Sequence, residues 1–435
     1  MDGLTLLALA FGGLALTMLS GMPVAFGLIA INIIGLYAFA GTAAWSLLAD
    51  SAFGGIAQFT LVPIPLFLLM GELLVRSGFG AQIVSLVDDW MGRVPGRLAI
   101  SSVGAGAIFG AVSGSSMAST ALLGSSLLPE MEKRGYRSAL SVSAILGAGG
   151  LAILIPPSSL GVLLGALAKV SISELLIACI LPGILLAILY VLYFMIRAWL
   201  QPELAPPYRG EIPPLSARLR RLVTLLPLAL LVLLVTGFIF LGIATPSESA
   251  ALGAVGALLV SWFHGRMNWT ILRESLLGTL STTAMIMLIL VGATAFSQLL
   301  SMTGAAPALV ETVTRWQLGP VGTTLLIQAT ILILGCFIDA ISIMLITVPV
   351  FMPIALALGI DPIWLAVLIL IQLELGGITP PFGVLLFVMK GVRPNLDTVT
   401  IYDAVWPIVV LQLLLCAAVM TVPAMTSWLP ALMIR

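Results

Sequence analysis

Between Arg137 and Lys169 the chain carries no charged side chain, and comparable charge-free runs recur along its whole length. About 20 apolar residues suffice to carry a helix across the hydrocarbon of a bilayer. Such runs cannot be hidden in a soluble core when the charges needed to coat the outside are missing. Only 8% of the 435 residues are charged and 60% are apolar, with a mean hydropathy of +1.21. Soluble domains carry roughly 25% charged residues. The fold class is therefore an all-α polytopic membrane protein, which excludes a soluble enzyme, a secreted disulfide scaffold and a nucleic-acid binder. Lys and Arg balance Asp and Glu at 18 each, so no polybasic surface is available for nucleic acid. Cys179, Cys336 and Cys416 lie in apolar stretches and His264 is the single histidine, which leaves no Cys/His set for zinc.

Charge-free stretches mark the spans. The acidic N-terminal MDGLTLLALAFGG reads as a retained first span rather than a removed leader. Gly3–Ala49 holds two spans divided near Gly21-Met22-Pro23. Gln58–Val75, Leu175–Ile196, Leu222–Leu241, Ser249–Phe263, Leu276–Met302 and Ala404–Pro423 follow. Two hairpins, about 98–131 and 320–357, enter and return on one side, and two broken helices cover about 138–168 and 362–389. A Pro- and Arg-rich cytoplasmic linker, 201–221, separates a first half (1–200) from a second (222–435). With both termini periplasmic, all Lys and Arg except Lys169, Arg315 and Arg435 fall on the inner side, as basic residues should.

An internal repeat is visible at one constant shift. Pro129 meets Pro353, Gly135 meets Gly359, Leu151 meets Leu375, and Pro156-Pro157 meets Pro380-Pro381. Each half holds about five spans plus a re-entrant hairpin, and an odd number turns the second copy upside down. Inverted repeats with helices interrupted at matching places describe a secondary transporter whose site lies near the bilayer midplane. The chain lacks a P-loop motif that would indicate ATP as the energy source. A membrane enzyme would need a convergent catalytic set that one histidine does not supply, so no enzymatic activity is expected.

The chemistry is expected at two irregular places in each half. One is the hairpin tip, Ala111-Val112-Ser113-Gly114-Ser115-Ser116, mirrored by Gly335-Cys336-Phe337-Ile338-Asp339. The other is the break Ile155-Pro156-Pro157-Ser158, mirrored by Gly376-Gly377-Ile378-Thr379-Pro380-Pro381-Phe382. Prolines remove backbone donors and leave carbonyls that must find partners in hydrocarbon. Na⁺ is such a partner, and the N-terminal ends of the resumed half-helices favour an anionic group. Asp339 holds the place of Ser115, and either couples ion or substrate or forms a structural hydrogen bond at the tip. Glu374 either carries a proton or ion, or faces a wet cavity. Ser115, Ser158 and Thr379 complete the candidate substrate and coupling set. Glu72, Glu248 and His264 read as structural or interfacial. Ile83, Leu86, Val87, Trp90 and Val94 in the first half, and Leu309, Val313 and Trp316 in the second, form amphipathic stretches that either lie in the interface or pack on the core.

Several stretches carry a family resemblance: Gly110-Ala-Val-Ser-Gly-Ser-Ser, Pro129-Glu-Met-Glu-Lys-Arg-Gly-Tyr136, Ile155-Pro-Pro-Ser158, Ala244-Thr-Pro-Ser-Glu-Ser-Ala250, Gly335-Cys-Phe-Ile-Asp339 and Ile378-Thr-Pro-Pro-Phe-Gly383. Together they resemble the large membrane subunit of tripartite ATP-independent periplasmic (TRAP) transporters over essentially the whole chain. The resemblance implies a bacterial or archaeal inner-membrane importer of a small organic anion, such as a carboxylate, coupled to Na⁺ and working by an elevator-type displacement. It implies two partners, a periplasmic binding protein and a small four-span membrane subunit, the latter a separate polypeptide because this chain is too short to include it. Carried over by motif, one Na⁺ site falls on Ser113, Ser116, Ala152, Ile155 and Pro157, and the other on Gly335, Gly376, Thr379 and Phe382. A stand-alone ion-coupled anion carrier of related architecture, needing no binding protein, is the alternative.

Overall fold

A computed structural model describes residues 9–14, 16–17, 20–208 and 213–433. The start of the first span at Gly3, Arg209, Arg435 and the Leu309 side chain lie outside the described residues. Among the described residues all regular structure is helical, with seven helical stretches long and apolar enough to cross a membrane, or eight if one bent pair counts as a span.

Residues 9–14 and 16–17 are helical. They are followed by α1 (Val24–Ala40), α2 (Ala44–Ile56), α3 (Pro63–Arg76) and the short α4 (Phe79–Trp90). The hairpin α5 (Arg97–Ser113) and α6 (Ser116–Lys133) and the broken pair α7 (Ser138–Leu154) and α8 (Ser159–Leu167) come next. The first half closes with α9 (Ile172–Ala178) and α10 (Ile180–Leu200). The second half runs α11 (Leu215–Phe240), α12 (Pro246–Phe263), α13 (Trp269–Met302) and α14 (Ala305–Arg315). A second hairpin, α15 (Gly319–Gly335) and α16 (Ala340–Ala357), precedes a second broken pair, α17 (Pro362–Ile378) and α18 (Val384–Val392). The chain ends in α19 (Thr398–Thr421) and α20 (Ala424–Ala431).

Local signals set most of these boundaries. Pro63 opens α3 and Pro246 opens α12, where the missing N–H is unneeded. Thr245 and Glu248 form a reciprocal capping box on α12, so Glu248 is structural, as expected. Gly41 and Gly114 stop α1 and α5 in the left-handed region, at φ 58° and 59°. The turn at Gly41 is what the apolar pattern hid. The stretch expected to end at Ala49 instead runs on to Ile56 as one membrane-length stretch, divided into α1 and α2 by the turn at Gly41–Ala43. In the second half Gly265, at φ 64°, makes the matching turn between α12 and α13, but nothing matches the break between α2 and α3, and α13 runs 34 residues. Helix α11 starts at Leu215, inside the linker region expected over 201–221. The single span expected over Leu175–Ile196 lies within one membrane-length stretch, Ile172–Leu200, made of α9 and α10 joined at Cys179.

Small residues let the central helices close up. A Cβ on Gly106 would stand 2.5 Å from the carbonyl oxygen of Ala148, and one on Gly110 would stand 2.8 Å from the Cα of Ala152. The α5 and α7 backbones therefore touch, as packing in lipid favours. On α4, Ile83, Leu86 and Val87 are buried, whereas Trp90 is exposed and Val94 lies exposed beyond the helix end. Asp88 on that helix accepts from Arg97 at 2.7 Å, and Asp89 pairs with Arg221 of α11. This packing decides for a core-facing α4, tied to both neighbours by charge. On α14, Val313 is buried and Trp316, just past its end, is exposed. Glu72 pairs with Arg76 at 2.6 Å, and His264 Nδ1 sits 2.8 Å from the Val260 carbonyl oxygen. Neither joins a site.

Candidate functional site

Each break begins with a helix losing its donors. In an α-helix the N–H of residue i serves the carbonyl of residue i−4. Pro156 and Pro157 thus withhold the helical donors of Ala152 and Ile153, and Pro380 and Pro381 withhold those of Gly376 and Gly377. Both Pro-Pro peptide bonds are cis. The first broken helix turns by 44° between α7 and α8. After the break, Ser158 caps α8 by accepting from the Gly161 N–H at 3.2 Å. In the second copy Gly383 occupies the cap position without a side-chain bond.

The hairpin tips reach these breaks. Ser159 Oγ donates to the Gly114 carbonyl at 2.9 Å, joining the first tip to the first break. The Phe382 N–H donates to the Cys336 carbonyl at 3.1 Å, joining the second tip to the second break. Ser115 caps α6 by accepting from the Ala118 N–H at 3.3 Å. Asp339 caps α16, accepting from the Ser342 N–H at 3.1 Å and from Ser342 Oγ at 2.5 Å. The two tips are thus built alike, with an acid in one copy where the other has a hydroxyl.

Both hairpin tips, the second break and the helix ends flanking the first break converge on one cavity of about 130 Å³. Ser115 and Ser116 open α6 there, Ser159 opens α8, Asp339 and Ala340 open α16, and Val384 opens α18. Four helix N-termini therefore border a single space, and each favours negative charge nearby. Leu68 of α3 and Thr282 of α13 close the remaining side. The one acid that enters from a helix interior is Glu374 of α17, which is only 3% exposed. Its Oε2 accepts from Ser116 Oγ at 2.8 Å, bonding the second broken helix to the first hairpin.

The expected site residues fall into three groups. Ser115, Ser116, Asp339 and Glu374 line the cavity. Ser158 and Thr379 do not. The Ser158 hydroxyl is occupied as a cap, and Thr379 Oγ1 donates back to the Leu375 carbonyl at 2.6 Å. The residues expected to offer carbonyls cluster at each tip-to-break contact. A Cβ on Gly114, next to Ser113, would lie 3.4 Å from the Pro157 oxygen, and Gly110 meets Ala152 one turn earlier. Ile155 ends the same helix as its C-cap. In the second copy Gly335 meets Gly376 directly, the Thr379 N–H reaches the Gly376 oxygen at 3.1 Å, and the Phe382 ring is exposed beside Phe337. Gly377, within the expected second break, lines the cavity, whereas sequence reasoning missed Ser159 and Thr282.

Known proteins with similar sequences include several transport proteins. Residues 11–425 match the family described as "Tripartite ATP-independent periplasmic transporter, DctM component". The "C4-dicarboxylate TRAP transporter large permease protein DctM" of Pseudomonas aeruginosa is 34% identical over 384 residues, covering 88% of this chain and 89% of that one. The "Ectoine TRAP transporter large permease protein TeaC" of Halomonas elongata is 31% identical, covering 88% and 90%. The "Isethionate TRAP transporter permease protein DctMQ" of Oleidesulfovibrio alaskensis is 30% identical over 96% of this chain, which spans only 65% of that relative's length. In fold, the chain resembles the YdaH transporter of Alcanivorax borkumensis, with a TM-score of 0.64 at 18% identity over 88% of this chain and 89% of that one.

Proposed function

Because the chain belongs to the DctM component family of tripartite ATP-independent periplasmic transporters, we propose that it imports a small organic anion of the carboxylate type across the bacterial inner membrane, driven by Na⁺. The observation that carries this reading is the cavity bordered by four helix N-termini and lined by both hairpin tips and both broken helices. An anion entering that space gains from four partial positive charges without a cationic side chain being buried. The substrates named for the relatives, C4-dicarboxylate, isethionate and ectoine, set the scale of the cargo.

Sodium is the coupling ion in this reading. The Ala152 carbonyl, deprived of its helical donor by Pro156, and the Gly376 carbonyl, which Pro380 leaves with the Thr379 N–H and a free lone pair, support one Na⁺ at each tip-to-break contact, one with Ser113, Ser116, Ile155 and Pro157 and one with Gly335, Thr379 and Phe382. Two halves in opposite orientation, both termini periplasmic, would let the hairpins and broken helices move together as an elevator past the long helices. A small four-span membrane subunit and a periplasmic binding protein complete the complex.

Proteoliposomes containing this chain, its small subunit and the binding protein should accumulate the binding protein's ligand only under an inward sodium gradient. Uptake that persists without sodium, or without the binding protein, rejects the proposal.

A further inference from the structure

An anion in the cavity needs hydrogen-bond donors, yet few of the side chains around it can still donate. No Lys, Arg, His, Asn, Gln, Tyr or Trp lines the cavity, and its hydroxyls are those of Ser115, Ser116, Ser159 and Thr282. Two of the four have already committed their protons. Ser159 Oγ donates to the Gly114 carbonyl at 2.9 Å, and Ser116 Oγ donates to Glu374 at 2.8 Å. Ser115 Oγ only accepts, from the Ala118 N–H, and keeps its own proton free. Thr282 is half-buried and makes no hydrogen bond among the described residues.

A hydroxyl inside a helix commonly turns back onto its own backbone. Thr294 and Thr303, further along α13, do so, each donating to the carbonyl four residues earlier at 2.7 Å. Thr282 does not. Ser275, Thr279 and Thr283 on the same helix also lack partners, but their oxygens are sealed in the helix packing and none of these residues lines the cavity. The remaining lining residues of the long helices, Leu68 of α3 and Ile286 of α13, are apolar. Thr282 is thus the one polar side chain that faces the cavity from outside the hairpins and broken helices.

We infer, on the anion reading of this cavity, that Thr282 is a cargo-binding residue. Its hydroxyl donates to the carboxylate held at the helix N-termini, and the Ser115 hydroxyl of the first tip supplies the second side-chain donor. Thr282 caps no helix and lies well inside α13, so this role is separable from folding. Because α13 belongs to neither hairpin and neither broken helix, the bond forms only while those segments stand against it as they do here. Moving them past α13 breaks it, and Thr282 therefore sets the cargo affinity of the present conformation.

The test uses the purified full-length chain in sodium buffer, with succinate (a C4-dicarboxylate), isethionate and ectoine as probes, after the cargoes named for the relatives. The rise of the unfolding midpoint with probe concentration gives an apparent Kd. At least one probe should stabilise the wild type. Thr282→Val keeps the shape and removes the donor. Its midpoint without probe should be unchanged, and its apparent Kd should rise about tenfold, the loss of one hydrogen bond to a charged group. Thr282→Ser keeps the donor and should bind as the wild type does. A wild-type Kd in Thr282→Val overturns the assignment and leaves the anion reading standing. Equal weakening in both variants marks lost packing instead of a lost donor, and overturns it too. No stabilisation of the wild type by any of the three probes removes the anion reading, and the assignment with it.

Discussion

Gly335 and Gly376 meet backbone to backbone. A Cβ on the first would lie 2.5 Å from the Cα of the second, and the reverse distance is 2.6 Å. No side-chain rotation can relieve such a clash, so the hairpin would have to separate from the broken helix. Gly335→Ala and Gly376→Ala should each destabilise the protein by about 1–3 kcal/mol through overpacking. Both should also abolish sodium-dependent uptake. Gly391→Ala, which meets open space on α18, should leave the thermal midpoint unchanged or slightly raised. Thermal unfolding of the purified variants, read beside liposome uptake, checks all three.

Asp339 combines a cap with a charge at the cavity wall, and two substitutions separate these roles. Asparagine caps as well as aspartate, so Asp339→Asn should assemble with an unchanged melting midpoint. Asp339→Ala should lose about 1 kcal/mol. If the charge couples to transport, uptake falls in both variants alike. Wild-type uptake by Asp339→Asn would leave Asp339 as a cap alone.

The three cysteines offer a native probe of the second tip. Cys179 and Cys416 are buried, and Cys336 at the tip is partly exposed. A membrane-permeant maleimide should modify Cys336 first in the native protein. Sodium should slow that reaction, because the Cys336 carbonyl sits beside the proposed ion site. Mass spectrometry of labelled protein in sodium and in choline reads both effects, and equal rates at all three thiols would contradict the packing.

Arg97 anchors the base of the first hairpin. It is 3% exposed and forks onto Asp88 at 2.7 and 2.9 Å, with the Gly92 carbonyl at 3.1 Å and its guanidinium 4.0 Å from the Tyr208 ring centroid. Arg97→Ala leaves a half-buried carboxylate without its partner and should cost about 3 kcal/mol or more. Arg97→Lys cannot restore the fork and should recover only part. The double change Asp88→Ala, Arg97→Ala should be milder than Arg97→Ala alone, a non-additivity that unfolding midpoints measure.

Much of this architecture can be read along the chain. The helical hairpins expected at about 98–131 and 320–357 occupy Arg97–Lys133 and Gly319–Ala357, and the breaks fall at both Pro-Pro pairs. These features are local. An apolar run long enough to cross lipid, a proline pair without donors and a left-handed glycine such as Gly114 act through the backbone of their own segment. The turn at Gly41 and the start of α11 at Leu215 were less legible, because an apolar or amphipathic run continues through them and hydropathy does not register a change of backbone conformation.

The sequence by itself determined that the chain lives in a membrane, where its helices are interrupted and which carbonyls lose their donors. Only the tertiary structure decided that both broken helices and both tips border one cavity, that the Ser158 and Thr379 hydroxyls are already occupied, and that Glu374 reaches Ser116 across the two halves. The physical reason is one of range. Donor loss and hydropathy are properties of neighbouring residues, whereas the partner of a buried carboxylate is fixed by which glycine surfaces allow two distant helices to touch.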